Sequence, residues 1–259
     1  MGGPAPAGQL SAQHAAIAEE AARTAGALLL ERFGSERALD TTKSSPTDLV
    51  SEADLLAERA IRDVLARRAP DDAIMGEEGA DTPGTSGRRW IVDPLDGTIN
   101  FLYGIPQWAV SVACEGVAGA VFDPCRDELF VAADGAATLN GEPLEASRCD
   151  DLGKALVGTG FSYESRVRHH QAQIAAQVLP RVRDIRRAGA AALDMAWAAA
   201  GRLDAFYERG VKPWDIAAGT LLCQAAGLEV RSLEPTEWMP RGVLVAPPAL
   251  VDPLLELVS

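Results

Sequence analysis

The chain has 259 residues, enough for a substantial core in one large α/β unit or two smaller ones. Its 24 Lys and Arg stand against 37 Asp and Glu, a formal charge of −13, and 47% of its residues are apolar. That balance excludes a disordered tail and argues against a general nucleic-acid binder, whose phosphate contacts need a basic surface, while an acidic excess suits a user of cations.

Residues Met1 to Gln9 are rich in Gly, Pro and Ala without the basic start and apolar middle of a secretory signal, so they read as a flexible leader (1–9) to a unit spanning 10–259. The start Met-Gly has Pro6 where a myristoylation pattern needs Ser or Thr. No apolar stretch reaches the roughly 20 residues that cross a bilayer; Glu31, Arg32, Glu115 and Gln224 interrupt the longest. Cys114, Cys125, Cys149 and Cys223 form no CxxC pair and the 3 histidines lie outside metal-ligand spacing, which favours a reducing cytoplasm and argues against a zinc site.

In chain order, helical spacing from Ser11 to Phe33, stopped by Gly34, predicts a first amphipathic helix. A polar loop from Thr41 to Pro46 leads to a second helix from Ser51 to Pro70, expected to pair with the first. The pattern then changes: Ala73 to Met75, Trp90 to Val92, Ala109 to Cys114 and Leu129 to Val131 read as short strands, and Asn140-Gly141 as a tight hairpin turn. Later come a strand at Ala155 to Val157, helices at Ser165 to Leu179, Gly189 to Ala200 and Pro213 to Ala226, a strand at Val243 to Val245, and a last helix from Pro248. Helices, then strands, then alternating elements predict an α+β protein with helices layered against two sheets, its halves being about 10–150 and 151–259.

The chemistry concentrates in Arg89 to Phe101, where an apolar strand runs into Asp93-Pro94-Leu95-Asp96-Gly97-Thr98. Pro94 lacks an N–H and so bends the chain after Asp93, while Gly97 allows a tight path that turns Asp96 and Thr98 inward. Two carboxylates converge, beside the first amides of a short helix at Gly97 to Ile99, which suit an anion. Met75-Gly76-Glu77-Glu78 and Lys212-Pro213-Trp214-Asp215 add further carboxylates at a strand end and in a helix first turn. Oxygen donors without a competing His or Cys set point to a hard cation, Mg²⁺ over Zn²⁺. Asp123-Pro124 and Asp134-Gly135 read as ordinary turns, Glu78 and His169-His170 as solvated, Trp197 as core or subunit interface, and Arg181, Arg183, Arg186 and Arg187 as a solvated strand edge.

Gly76 to Glu78, Asp93 to Phe101 and Trp214 to Gly219 resemble, in order and spacing, the signature segments of the inositol monophosphatase family of Mg²⁺-dependent, lithium-sensitive sugar phosphatases. Lys43 to Val50, Gly189 to Met195 and Glu208 extend the resemblance over nearly the whole chain. It implies a layered αβαβα sandwich, a homodimer and two or three Mg²⁺ ions held by Glu77, Asp93, Asp96, Asp215 and the Leu95 carbonyl. It further implies a water on the ion at Glu77, positioned by the Thr98 hydroxyl, which Asp54 orients. Phosphate oxygens would meet the Gly97 and Thr98 amides, and sugar hydroxyls Asp96, Glu208 and the backbone of Gly189 to Ala191, with Lys43 near the phosphate. Ala190 stands where many relatives have Ser or Thr, which removes a hydroxyl near the substrate. The expected activity is hydrolysis of inositol monophosphate, the expected partners are small phosphate monoesters without membrane or direct nucleic-acid contact, and the alternatives are histidinol phosphate, fructose 1,6-bisphosphate, a 3′-phosphonucleotide, or a regulatory role with the transcription machinery. A nucleotide would need an aromatic platform, which no motif announces.

Overall fold

A computed structural model describes residues 7–34 and 52–259. The Thr41 to Pro46 loop, Lys43 and Ser51 lie outside the described residues. Two helices come first, α1 (Ala7–Arg32) and α2 (Glu52–Arg68), then β1 (Ala73–Gly76), β2 (Arg89–Asp96) and the short α3 (Thr98–Leu102). β3 (Ala109–Cys114), β4 (Ala118–Asp123), β5 (Glu128–Ala133), β6 (Ala136–Leu139) and β7 (Glu142–Pro143) complete a seven-stranded sheet in sequential order. The rest of the chain supplies β8 (Leu156–Thr159), α4 (Ser165–Val178), β9 (Asp184–Arg186), α5 (Ala191–Ala199), β10 (Ala205–Arg209), α6 (Pro213–Ala225), β11 (Glu229–Leu233), β12 (Gly242–Ala246) and α7 (Pro248–Val258). Its sheet runs β11-β12-β10-β8-β9.

Strand alternation decides the layering, because successive side chains point to opposite faces. On β3, Val110, Val112 and Cys114 face a core with Ile17, Ala21, Ile61 and Leu65 of α1 and α2, while Ala109 and Ala113 face a second core. That second core takes Leu193 and Met195 of α5, Ala218 and Leu222 of α6, and Val243 and Val245 of β12. Leu244 and Ala246, on the opposite face of β12, join Val178 of α4 and Leu250 and Leu254 of α7. The order is therefore helix pair, sheet, helix pair, sheet, helix pair: the αβαβα sandwich.

Several boundaries differ from expectation. α1 starts at Ala7, inside the stretch read as leader. β4, β6, β7, β10 and β11 are not named as strands in the sequence reading; in β4 and β11, Ala118-Gly119-Ala120 and Arg231-Ser232 lack the β-branched and aromatic residues that mark strands. β2 does not end at Asp93 but runs through Pro94 to Asp96; the missing N–H appears instead as a bulge, with Asp93 opposite Ser111 and Asp96 opposite Ala109. The Asn140-Gly141 hairpin turn is present, with both residues left-handed at φ 51° and 86°.

Candidate functional site

The bulge is where the site begins. Past it, the Asp93 carboxylate turns back to accept from the Leu95 amide at 3.0 Å, fixing the bend at Pro94. Gly97 then takes φ +94° as the cap of α3, and a Cβ there would lie 2.9 Å from the Gln107 carbonyl, so only glycine fits. The Thr98 hydroxyl lies 3.0 Å from Asp54 Oδ1 and 3.1 Å from the Leu95 carbonyl, bringing buried Asp54 of α2 to the end of β2. Asn100 donates to the Gln107 carbonyl at 2.7 Å and to that of Ala188 at 2.9 Å, anchoring the approach to α5.

Asp96 reaches across to the middle helix layer. Its Oδ1 accepts from Ala191 N at 2.9 Å and its Oδ2 from Leu193 N at 3.2 Å, so this carboxylate satisfies the first amides of α5. The Ala191 amide, expected to face substrate, is therefore engaged by Asp96.

β1 runs parallel to β2 with Gly76 opposite Val92, which sets Glu77 beside Asp93. The loop carrying Glu77 is held by Glu58 of α2, which accepts from Glu78 N at 2.7 Å and Gly79 N at 2.9 Å while pairing with Arg62 at 2.7 Å. Asp215 enters from the third residue of α6, where it accepts from Lys212 N at 2.6 Å.

These four carboxyls share one corner, and their protonation reports it. Asp93 is held well above the usual carboxylate range by burial and by the charges of Glu77, Asp96 and Asp215, and it shares a hydrogen bond with Glu77. Burial pushes Asp96 up to about 7 against the three α5 amides that favour its charge. Asp215 is raised by burial and by Asp96, Glu77 and Glu208. A carboxyl pair that touches needs a proton or a cation between its members, and the donors here are all hard oxygens, so the corner fits Mg²⁺.

The opposite wall belongs to the second sheet. Glu208 projects from β10, and burial raises it to about 7 against the nearby Arg187. Arg187 is thus not simply part of a solvated arginine run: it lines the cleft and crosses the Phe161 ring at 5.9 Å. Gly160, just past β8, makes room for Glu208, since a Cβ there would overlap the Glu208 carboxyl. Asp194 of α5 is buried and raised by burial and by Asp96 and Glu208, with its Oδ1 unpartnered among the described residues.

Together these residues line a cleft of about 570 Å³ that includes Glu77, Asp93, Leu95, Asp96, Gly97, Thr98, Gly189, Ala191, Glu208 and Asp215. Its outer part carries Phe161, Tyr163 and Trp238, an aromatic surface that the sequence did not announce. His170 is not merely solvated, for its ring lies 5.6 Å from that of Trp238. Trp197 sits away from the cleft, half-buried between Arg126 and Arg202 at 5.0 and 5.7 Å. Glu58 and Gly160 have no signal in the sequence reading, which takes Arg187 as solvated and gives Asp194 no role beyond membership of the Gly189 to Met195 segment.

Comparison with known proteins agrees with this geometry. The model of the inositol monophosphatase family matches residues 11–258. Inositol-1-monophosphatase SuhB of Mycobacterium tuberculosis is 45% identical, with 92% of this chain and 89% of that one covered. Nus factor SuhB of Xylella fastidiosa is 42% identical over 82% of this chain and 78% of that protein. The crystal structure of extragenic suppressor protein suhB from Bartonella henselae superimposes with a TM-score of 0.87 at 34% identity, covering 94% and 97% of the two chains. With carboxylates of both halves meeting in one cleft and a match that runs almost end to end, the chain belongs to the inositol monophosphatase family.

Proposed function

We propose that this protein is a Mg²⁺-dependent phosphomonoesterase that hydrolyses inositol monophosphate to inositol and phosphate. The observation that carries the reading is the meeting of Glu77, Asp93, Asp96 and Asp215 in a cleft whose far wall holds Glu208. These carboxylates and the Leu95 carbonyl would hold two or three ions, inhibited by Li⁺ as in the family. Bound there, Mg²⁺ supplies a more acidic water and neutralises charge on the transferring phosphoryl group.

The chain's own groups position the reactants. Thr98 donates its proton to Asp54, which leaves its oxygen free to accept from, and so orient, the attacking water. The Gly97 and Thr98 amides face the phosphate oxygens at the start of α3. Glu208 accepts from the polyol hydroxyls, with Arg187 beside it partly offsetting the burial that raises its carboxyl to about 7. Water oxygen bonds to phosphorus, the bond from phosphorus to the inositol oxygen breaks, and that oxygen leaves with a proton. The same resemblance supports a cytoplasmic homodimer.

The test is phosphate release from inositol 1-phosphate, histidinol phosphate, fructose 1,6-bisphosphate and adenosine 3′,5′-bisphosphate, with Mg²⁺ and with chelator, for wild type and Asp93→Asn. Preference for inositol 1-phosphate that vanishes with chelator and in the variant supports the reading. Preference for another ester overturns the substrate, and no turnover of any ester overturns the activity. The Nus factor relative supports a second, regulatory role, for which retained binding to transcription proteins by Asp93→Asn is the criterion.

A further inference from the structure

Outside the carboxylate cleft, three buried residues converge on Trp90: His14 of α1, Asp72 just ahead of β1, and Cys114, the last residue of β3. The His14 ring stacks on Trp90 with centroids 5.6 Å apart and planes 20° apart. The Trp90 indole donates to Asp72 Oδ2 at 3.0 Å, and Cys114 is the register partner of Trp90. One ligand atom from each of His14, Asp72 and Cys114 lies within 4.8 Å of the others.

Hydrogen bonds from outside hold the His14 and Asp72 side chains of this cluster in place. His14 Nδ1 lies 2.7 Å from the Leu10 carbonyl, which can only accept, so Nδ1 donates there and Nε2 is the ring atom left to bind a metal. Nε2 faces Asp72 Oδ2 at 3.8 Å, beyond direct hydrogen-bond reach. Ser86 and Arg88 donate to Oδ1 at 2.5 and 3.2 Å, fixing the carboxylate while Oδ2 keeps a lone pair beyond the one Trp90 uses. A backbone carbonyl behind the imidazole and donors behind the carboxylate are the outer supports that metal-ligating side chains have.

We propose that His14 Nε2, Asp72 Oδ2 and Cys114 Sγ form a second, buried site for a borderline-soft divalent cation of the zinc type. Atoms within 4.8 Å of one another leave a point no more than about 2.8 Å from all three, so contractions of about 0.5–0.8 Å give zinc bond lengths. A mixed nitrogen, sulfur and oxygen set selects Zn²⁺ over Mg²⁺, the opposite of the all-oxygen cleft. The ion would clip α1 to the lead of β1 and the end of β3. Ligand spacing along the sequence gave no hint of it, because the three ligands come from segments that only the fold brings together.

The test loads the full-length protein with Zn²⁺ or Co²⁺ in excess Mg²⁺, removes free metal, and reads zinc content and the thiolate-to-cobalt absorption. Wild type should keep about one equivalent and show the thiolate band; Cys114→Ser and His14→Gln should lose both, and Asp93→Asn should keep both. The double variant Cys125→Ser/Cys149→Ser, which leaves the buried cluster intact, should also keep the band. Should the Cys114 or His14 variants fail to fold by circular dichroism, the wild-type and double-variant spectra decide. No thiolate band in wild type overturns the proposal in favour of a protonated His14 paired with Asp72. Metal that follows Asp93 and ignores Cys114 overturns it in favour of the cleft.

Discussion

Gly160→Ala isolates the role of Glu208. Gly160 has an ordinary backbone conformation, so alanine is not strained there; its methyl simply overlaps the Glu208 carboxyl. The carboxylate must swing away along β10, while the corner formed by Glu77, Asp93, Asp96 and Asp215 stays untouched. If Glu208 accepts from polyol hydroxyls, the substitution removes hydrogen bonds to a charged acceptor, worth about 1.5–3 kcal/mol, or about 10- to 150-fold in kcat/KM for inositol 1-phosphate. An aryl phosphate lacking a polyol should be hydrolysed at close to the wild-type rate. The assay is the ratio of kcat/KM values for the two substrates, with Glu208→Gln as companion and circular dichroism to verify folding. An equal loss on both substrates, or none on inositol 1-phosphate, refutes the assignment of Glu208 to the sugar.

Two further outcomes follow from the same geometry. Glu58→Ala removes the acceptor of the Glu78 and Gly79 amides, loosening the loop that carries Glu77, so the Mg²⁺ concentration for half-maximal activity should rise about tenfold with a smaller change in substrate KM, read from Mg²⁺ titrations. Metal-free protein should lose stability as pH rises from about 5.5 to about 7.5. The sign follows because Asp96 and Glu208, raised to about 7, still hold protons when folded that the unfolded chain has already released. Saturating Mg²⁺ should raise Tm more at the higher pH than at the lower; a Tm in chelator that climbs with pH contradicts the shared burial of these carboxyls.

What was legible in the sequence was what is locally encoded. Asp93-Pro94-Leu95-Asp96-Gly97-Thr98 dictates its own turn, through a proline without an N–H and a glycine at positive φ, and its side chains converge as that turn requires. The α6 start at Pro213 and the hairpin at Asn140-Gly141 are similarly self-contained. Glu58, Gly160 and Arg187 depend instead on the β1 and β2 register, on how β10 lies beside β8, and on where β9 ends, none of which leaves a pattern in neighbouring residues. The small Ala-Gly start of β4 hid a central strand, since a position packed under a helix needs little volume rather than high strand propensity.

The bridge from Asp96 to the Ala191 and Leu193 amides joins positions separated by 95 and 97 residues, across the boundary between the first sheet and the middle helices. The start of α5 is therefore completed by a residue from the far half of the chain, and the same residue stands among the carboxylates of the ion corner. If the corner takes up cations, their binding and the packing of α5 against β2 would then be one linked equilibrium, with cation uptake favouring the packed form.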